Sequence, residues 1–190
     1  MSNNHPPSQR RIVAQLSIAA GNFMQLAGMA LAVLLLASVP TWSRKSLAFT
    51  AMVGSWILLY FFCHAITHWA IGRMLGIRFV GYTVGGTGNP EGYPPGLRWV
   101  FVHLPFFGVR TSKASMQSAR PLAKAIMWSA GVTSSAIVPT LAVFWSRSAG
   151  IPGSKVFLLF AVAWALGTLA SNWTSRTGDY AKARRALSDL

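Results

Sequence analysis

Two histidines stand four residues apart inside a long apolar stretch of the chain. His64 and His68 fall within the sequence FCHAITH, which occupies residues 62–68. Side chains at i and i+4 project from the same face of a helix, so the two imidazoles are spaced to hold one metal ion from one side. Ionisable groups at membrane depth are costly and mark functional sites. The pair therefore predicts a metal site within a membrane helix.

The composition predicts an integral membrane protein. Of the 190 residues, 53% are hydrophobic and only 11% are charged, whereas soluble domains carry about 25% charged residues. The 17 Lys and Arg residues outnumber three acidic residues and give a net charge of +14. They lie in the gaps between apolar runs, where such residues orient the spans and contact anionic lipids. We therefore expect the lipid bilayer, with anionic lipids on its cytoplasmic side, as a partner and no nucleic acid.

Four apolar runs are long enough to cross about 30 Å of hydrocarbon. They predict an all-α membrane protein with about four transmembrane helices and a Gly/Pro-rich re-entrant or β-hairpin segment between helices two and three. Pro139 lies in the third run and should kink that helix, freeing a carbonyl near Ser135 for the neighbouring hydroxyls. We divide the chain into a polar N-terminus (1–15), a single membrane domain (16–174, with spans at about 16–39, 47–74, 121–145 and 155–173) and a basic tail (175–190).

The segment between the second and third spans, residues 78–110, differs in composition from the rest. Its glycines and the dipeptides Asn89-Pro90 and Pro94-Pro95 predict that no helix forms there. β-branched and aromatic residues at 79–84 and 99–109 are typical of strands. We expect a membrane-dipping hairpin or loop, whose backbone must bond to protein or water because lipid cannot satisfy it.

The basic residues also predict the orientation of the spans. Thirteen of the 17 Lys and Arg residues fall on the side that holds the N-terminus, the segment between spans two and three, and the tail; four fall on the other side. Short loops rich in Lys and Arg stay in the cytoplasm. We therefore expect both termini to be cytoplasmic, in a bacterial cytoplasmic membrane.

This orientation brings an acidic residue to the histidines. The second span runs inward, which places His64 and His68 toward its cytoplasmic end, and the fourth span ends on the same side shortly before Asp179. Two imidazoles and one carboxylate with an open fourth position form the ligand set of a catalytic zinc site.

The ligand segment resembles that of the site-2 protease family of intramembrane zinc metalloproteases. The family's ligand helix reads roughly His-Glu-x-x-His, followed by Gly-Arg and Gly-Ile; this chain has His64-Ala65-Ile66-Thr67-His68, then Gly72-Arg73 and Gly76-Ile77. Later matches are to a Gly-Gly pair, to small residues of the next span and to an Asn-to-Asp motif; they fall at Gly85-Gly86, Ala130-Gly131 with Thr133-Ser134, and Asn172 with Asp179. The resemblance covers about residues 47–185.

The resemblance implies a zinc ion held by His64, His68 and Asp179. It also implies residues that support these ligands or line a substrate groove, namely Asn172, Gly85, Gly86, Thr133 and Ser134. One departure bears on activity: Ala65 stands where the family has the glutamate that acts as general base. A methyl group cannot move a proton, and losing a general base typically costs about 10²–10⁴ in rate. We therefore expect a proteolytically inactive member that retains zinc and binds a membrane-protein partner.

Two further departures, Val132 for a proline and Tyr180 for a glycine, weaken the match in its later part. Two other functions stay open. One is an active metalloprotease with an unrecognised general base, for which Glu91 is the acid available before the tail. The other is a subunit of a larger membrane complex in which His64 or His68 ligates a haem or a chlorophyll-type pigment.

Structural roles also compete with the chemical ones. The two histidines could hydrogen-bond to polar groups within a helix bundle, and Asp179 could be a solvated tail acid paired with Arg176 or Lys182. We further expect glycines 72 and 76 to allow close helix packing. His103 is expected to be a hydrogen-bonded polar residue rather than a ligand.

Overall fold

A computed structural model describes residues 12–87 and 95–188 of the chain. Glu91 lies outside the described residues. Helices dominate, and three short strands form one sheet. The elements in chain order are β1 (Ile12–Leu16), α1 (Ile18–Ser38), a 3-10 turn (Val39–Thr41), α2 (Lys45–Met74), β2 (Phe79–Gly85), α3 (Pro95–His103), β3 (Phe106–Thr111), α4 (Lys113–Ser118), α5 (Pro121–Ser148), α6 (Ser154–Thr174) and α7 (Asp179–Ser188).

Four of these helices are long and apolar enough to cross a membrane. They are α1 with its 3-10 extension, α2, α5 and α6, and they confirm the four predicted spans. Pro121 occupies the first turn of α5, where its missing N–H costs nothing. Pro139 lies inside α5, which continues to Ser148. The chain is thus a membrane protein built on four spanning helices.

Helix α5 packs against α2, α6 and α7, and α1 packs against α2. Helix α2 runs antiparallel to α5, because His64 meets Ser135 while His68 meets Met127. At the opposite end of the same helix pair, an apolar core forms from α1, α2, α5 and α6, with Leu36, Met52, Trp56, Val143 and Ala161 among its buried members.

The strands form an antiparallel sheet in the order β1-β2-β3. Strand β1 covers residues that the predicted division assigned to the polar N-terminus and to the start of the first span. Leu16 pairs with Tyr82 of β2, and Ile12 pairs with Gly85. The pairing supplies partners for the backbone just before Ser17 caps the first turn of α1.

The segment between α2 and α5 contains the predicted hairpin, formed by β2 and β3, but it also contains a helix that the sequence analysis excluded. Helix α3 begins at Pro95, a position that suits proline. Its buried Phe101 stacks on Phe106 and contacts Trp164 of α6. Tertiary packing of one aromatic side chain thus anchors a helix in a region whose glycines predicted none.

The two glycines at the end of α2 have different roles. A Cβ at Gly72 would lie 2.5 Å from the ring of Phe79 in β2 and 3.0 Å from Met127 in α5, so close packing against a helix is confirmed there. The packing prediction is wrong for Gly76, which faces open space and has φ of +82°. Gly76 ends the helix in a left-handed turn, in which Ile77 N–H donates to the Gly72 carbonyl at 2.8 Å.

Candidate metal centre

Three ligand atoms converge where α2, α5 and α7 meet. His64 Nε2, His68 Nε2 and Asp179 Oδ2 lie 3.2 Å from one another in all three pairs. The Asp179 side chain is 13% exposed and that of His68 only 3%. The structure therefore brings together the three residues that the sequence proposed as metal ligands.

The ring of His68 is oriented by the backbone of α5. Its Nδ1 lies 2.7 Å from the Met127 carbonyl, which can only accept, so Nδ1 carries the proton. In the neutral ring, Nε2 then carries a lone pair that is directed at the other two ligands. Gly131 makes room for this ring, because a Cβ there would collide with Nε2.

The ring of His64 is oriented by a hydroxyl of α5. The Ser135 hydroxyl donates to the Gly131 carbonyl at 3.2 Å, and its oxygen lies 3.0 Å from His64 Nδ1. Because the hydroxyl proton is already used, His64 Nδ1–H donates to Ser135 and Nε2 again presents a lone pair. Metal-ligating histidines commonly hold their second nitrogen in this way.

Asp179 is placed by a turn that follows α6. The Ser175 hydroxyl accepts from the N–H groups of Thr177 and Gly178, at 3.1 and 2.9 Å. Asn172 Oδ1 then accepts from the backbone N–H of Asp179 at 2.9 Å. Asn172, a predicted supporting residue, therefore fixes the backbone that carries the third ligand.

The carboxylate of Asp179 divides its two oxygens between different partners. Oδ2 faces the histidines, and Oδ1 accepts from Lys182 Nζ at 2.8 Å. In the metal-free site, burial raises the pKa of Asp179, but a proton shared with His68 or His64 and the Lys182 ammonium outweigh burial and hold that pKa well below its usual range. The carboxyl is therefore ionised and available as a ligand.

The triangle of donors fits a tetrahedral metal ion. An ion with bonds of about 2.0–2.1 Å spaces its ligands about 3.3–3.4 Å apart, close to the observed 3.2 Å. Without a cation, two nitrogen lone pairs and a carboxylate oxygen would repel one another. One proton can bridge only one pair at a time, whereas one metal ion satisfies all three atoms.

The ligand atoms open onto a cavity of about 190 Å³ between α2, β3, α5 and α6. Part of its wall is polar, with Thr168, Ser171 and Asn172 on α6 and Lys182 on α7. Another part is apolar, and its members include Phe61, Phe106, Phe107 and Val132. A ligand in this cavity would meet the metal position, one cation and an aromatic surface.

The remaining predicted supporting residues do not touch the three ligand atoms. Thr133 accepts a hydrogen bond from Tyr180 at 2.9 Å, which ties α7 to α5. Ser134 donates to the Gly131 carbonyl at 2.7 Å. Gly85 pairs within the sheet, and Gly86 permits close approach of the Val102 carbonyl, so both shape the sheet and α3 rather than the ligand triangle.

The structure bears on the expected structural roles of Asp179 and His103. Asp179 does pair with Lys182, but it is largely buried and belongs to a helix packed on α5, so neither a solvated acid nor a free tail describes it. His103 is exposed, and its Nδ1 donates to the Trp99 carbonyl at 2.8 Å, as expected of a polar residue that is not a ligand.

Several residues of the site were not identified from the sequence. The Ser135 hydroxyl was expected to satisfy a carbonyl freed by Pro139, yet it orients His64. Trp128 packs against His68, with ring centroids 5.5 Å apart, and Lys182 and the Met127 carbonyl were not assigned to the site. A signal existed for one pair: Gly131 and Ser135 repeat the four-residue spacing of His64 and His68 on the antiparallel helix.

No protein-family model, no curated protein and no solved structure matches this chain. The interpretation of the site therefore depends on the geometry of its own residues. That geometry supplies a His64, His68 and Asp179 cluster able to hold a metal ion.

Proposed function

We propose that this protein is a zinc-binding membrane protein of the site-2 protease type that has lost proteolytic activity and binds a membrane-protein partner. The observation that carries the proposal is the triangle of two imidazole nitrogens and one carboxylate oxygen, 3.2 Å apart in each pair. The order of elements supports it, because the histidine helix is followed by a hairpin, two spanning helices and the ligand aspartate.

Each ligand is held in position by neighbouring groups. Met127 and Ser135 fix the rings of His68 and His64 with their lone pairs toward the site. Asn172 and Lys182 fix the backbone and the second oxygen of Asp179. Zinc held by three protein ligands would act as a Lewis acid at its open fourth position.

The lack of hydrolysis follows from the residue beside the first histidine. Ala65 is fully buried and carries no group that accepts a proton. Within residues 12–87 and 95–188, Asp179 is the only acid, and it serves as a ligand. The open position is therefore left without a carboxylate base among these residues.

A pigment-binding function is less well supported by this arrangement. Axial ligation of a macrocycle needs an imidazole nitrogen that faces open space. Both Nε2 atoms instead point at each other and at Asp179 across 3.2 Å, which leaves no room for a macrocycle between them.

We also infer the orientation from the distribution of charge. The metal end carries the strongly basic side of the molecule, including Arg184, which lies over the ring of Trp173 with 5.0 Å to the centroid. Basic residues beside a span favour the cytoplasmic face and anionic headgroups. The proposal places this end, and both termini, at the cytoplasmic face of a bacterial membrane.

Elemental analysis of the detergent-purified protein tests the metal site. We expect about one zinc per chain in the wild type and none in the double variant His64→Ala/His68→Ala. The control is His103→Ala, an exposed histidine outside the site, which should retain the metal. A wild-type protein without metal would contradict the proposal.

Restoring the base tests the loss of activity. Ala65→Glu, assayed on a membrane-spanning peptide, should gain about a hundredfold or more in cleavage over the wild type. Ala65→Gln is its matched control, because it adds nearly the same volume without a base. Wild-type cleavage that is abolished by His64→Ala would support the active metalloprotease instead. This second measurement does not depend on whether the two Ala65 variants fold.

A further inference from the structure

The filled metal site would carry an unbalanced positive charge. Ligating histidines are neutral, so a divalent ion, the Asp179 carboxylate and the Lys182 ammonium together leave about two positive charges. In the described part of the chain, no second acidic side chain lines the cavity, and Ala65 stands where a glutamate would reduce this charge. Excess charge in a half-enclosed site favours an anion at the open position.

Lys182 is placed to bind such an anion. Its Nζ lies 2.8 Å from Asp179 Oδ1 and 4.4 Å from the centroid of the Trp128 ring. These two contacts hold the ammonium on the wall of the cavity that also contains both histidines. An ammonium has three N–H donors, and the bond to Asp179 uses one of them.

The rest of the wall limits the kind of anion. Beyond the cationic corner, one part of the wall is aromatic and aliphatic, with Phe61, Phe106 and Val132, and another part carries the polar side chains of α6. The volume of about 190 Å³ is below the roughly 300–1,000 Å³ of pockets that hold drug-sized ligands. The metal position and Lys182 match the two oxygens of one carboxylate, and the hydrocarbon part of a small carboxylate would then lie against the apolar part of the wall, where a phosphate would place oxygens.

We propose that the open metal position and Lys182 together bind a small carboxylate with an apolar substituent. One oxygen of the carboxylate occupies the metal's open position, and the other accepts a hydrogen bond from Lys182. The hydrocarbon part lies against the aromatic wall. This inference rests on the proposed metal site and adds the class of ligand that the site takes.

The test uses the full chain in detergent, loaded with Co²⁺, whose visible absorption changes when its fourth ligand changes. Acetate, butyrate and phosphate are titrated at constant ionic strength. We expect acetate to alter the spectrum, and butyrate to bind several-fold more tightly because it buries two more CH₂ groups. Lys182→Met should weaken both about tenfold or more, and Lys182→Arg should restore part of the affinity. The control Lys113→Met, at an exposed lysine outside the cavity, should bind as the wild type does.

Metal content measured on every variant separates the two proposals. A wild type that binds no Co²⁺ refutes the metal site, and the anion site with it. A wild type that binds Co²⁺ but shows no response to carboxylates refutes only the anion site. Equal carboxylate affinity in Lys182→Met and the wild type, or tighter binding of phosphate than of butyrate, would also overturn the proposed carboxylate site.

Discussion

The two ends of the α2–α5 helix pair are stabilised in different ways. At one end, Met52, Trp56 and Val143 belong to a buried apolar core, where stability comes from many contacts that need no particular direction. At the metal end, His64, His68 and Asp179 each depend on one or two hydrogen bonds of defined geometry. The apolar end should determine how stable the bundle is, and the polar end should determine what it binds.

A substitution in the apolar core should give the largest effect and leave the metal site intact. Met52 is 1% exposed, so Met52→Ala removes buried contacts and leaves a cavity. We expect a loss of about 2–5 kcal/mol in the free energy of unfolding, measured by detergent-induced denaturation, with zinc affinity unchanged. Leu159→Ala, on the exposed face of α6, is the control and should change stability little. A large loss of zinc affinity in Met52→Ala would show that the two ends are coupled.

A substitution that removes the hydrogen-bond partner of a ligand should lower the metal affinity and leave the stability nearly unchanged. Ser135→Ala removes the acceptor that orients His64 Nδ1, and the loss of such a partner typically weakens metal affinity about 10–100-fold. Competition with a chelator measures this change, while the free energy of unfolding of the metal-free protein should stay nearly constant. Ser129→Ala is matched to it on the same helix, because the Ser129 hydroxyl donates to the Ala125 carbonyl and takes no part in the ligand triangle. If both variants lose affinity equally, orientation of His64 by Ser135 is not the cause.

The smallest effect is expected where α7 is attached to α5. Tyr180→Phe removes the hydroxyl that donates to Thr133 at 2.9 Å and keeps the ring that contacts Trp173. One hydrogen bond of this kind contributes about 1 kcal/mol, so zinc affinity should fall about fivefold. The same chelator competition measures it. An unchanged affinity would mean that the turn at Ser175 and the bond from Asn172 suffice to place Asp179.

The comparison of the two ends also shows what the sequence could predict. The spans and the His64/His68 pair follow from apolar length and helical spacing, which are local properties. The approach of Asp179 to the histidines was predicted from the count of basic residues on each side. The role of Ser135 was not, because it depends on the register between two antiparallel helices whose contacting residues are 71 positions apart.

The sequence also failed to predict two short elements, β1 and α3. Strand β1 has five residues, and its partner strand comes more than sixty positions later, so no local pattern distinguishes it from the start of the first span. Helix α3 is nine residues long and is anchored by Phe101 against Phe106 and Trp164. Contacts distant in sequence stabilise both elements, and single-sequence patterns do not contain that information.

The separation of the ligands along the chain has a consequence for biosynthesis. Asp179 lies 111 positions after His68 and follows the last of the four spanning helices. At about 5–20 residues per second, a ribosome needs roughly 5–20 s to make that interval, during which only two of the three ligands are present. Stable capture of the ion must therefore wait until the fourth span is inserted and α7 has folded back, so a bound metal reports that assembly in the membrane is complete.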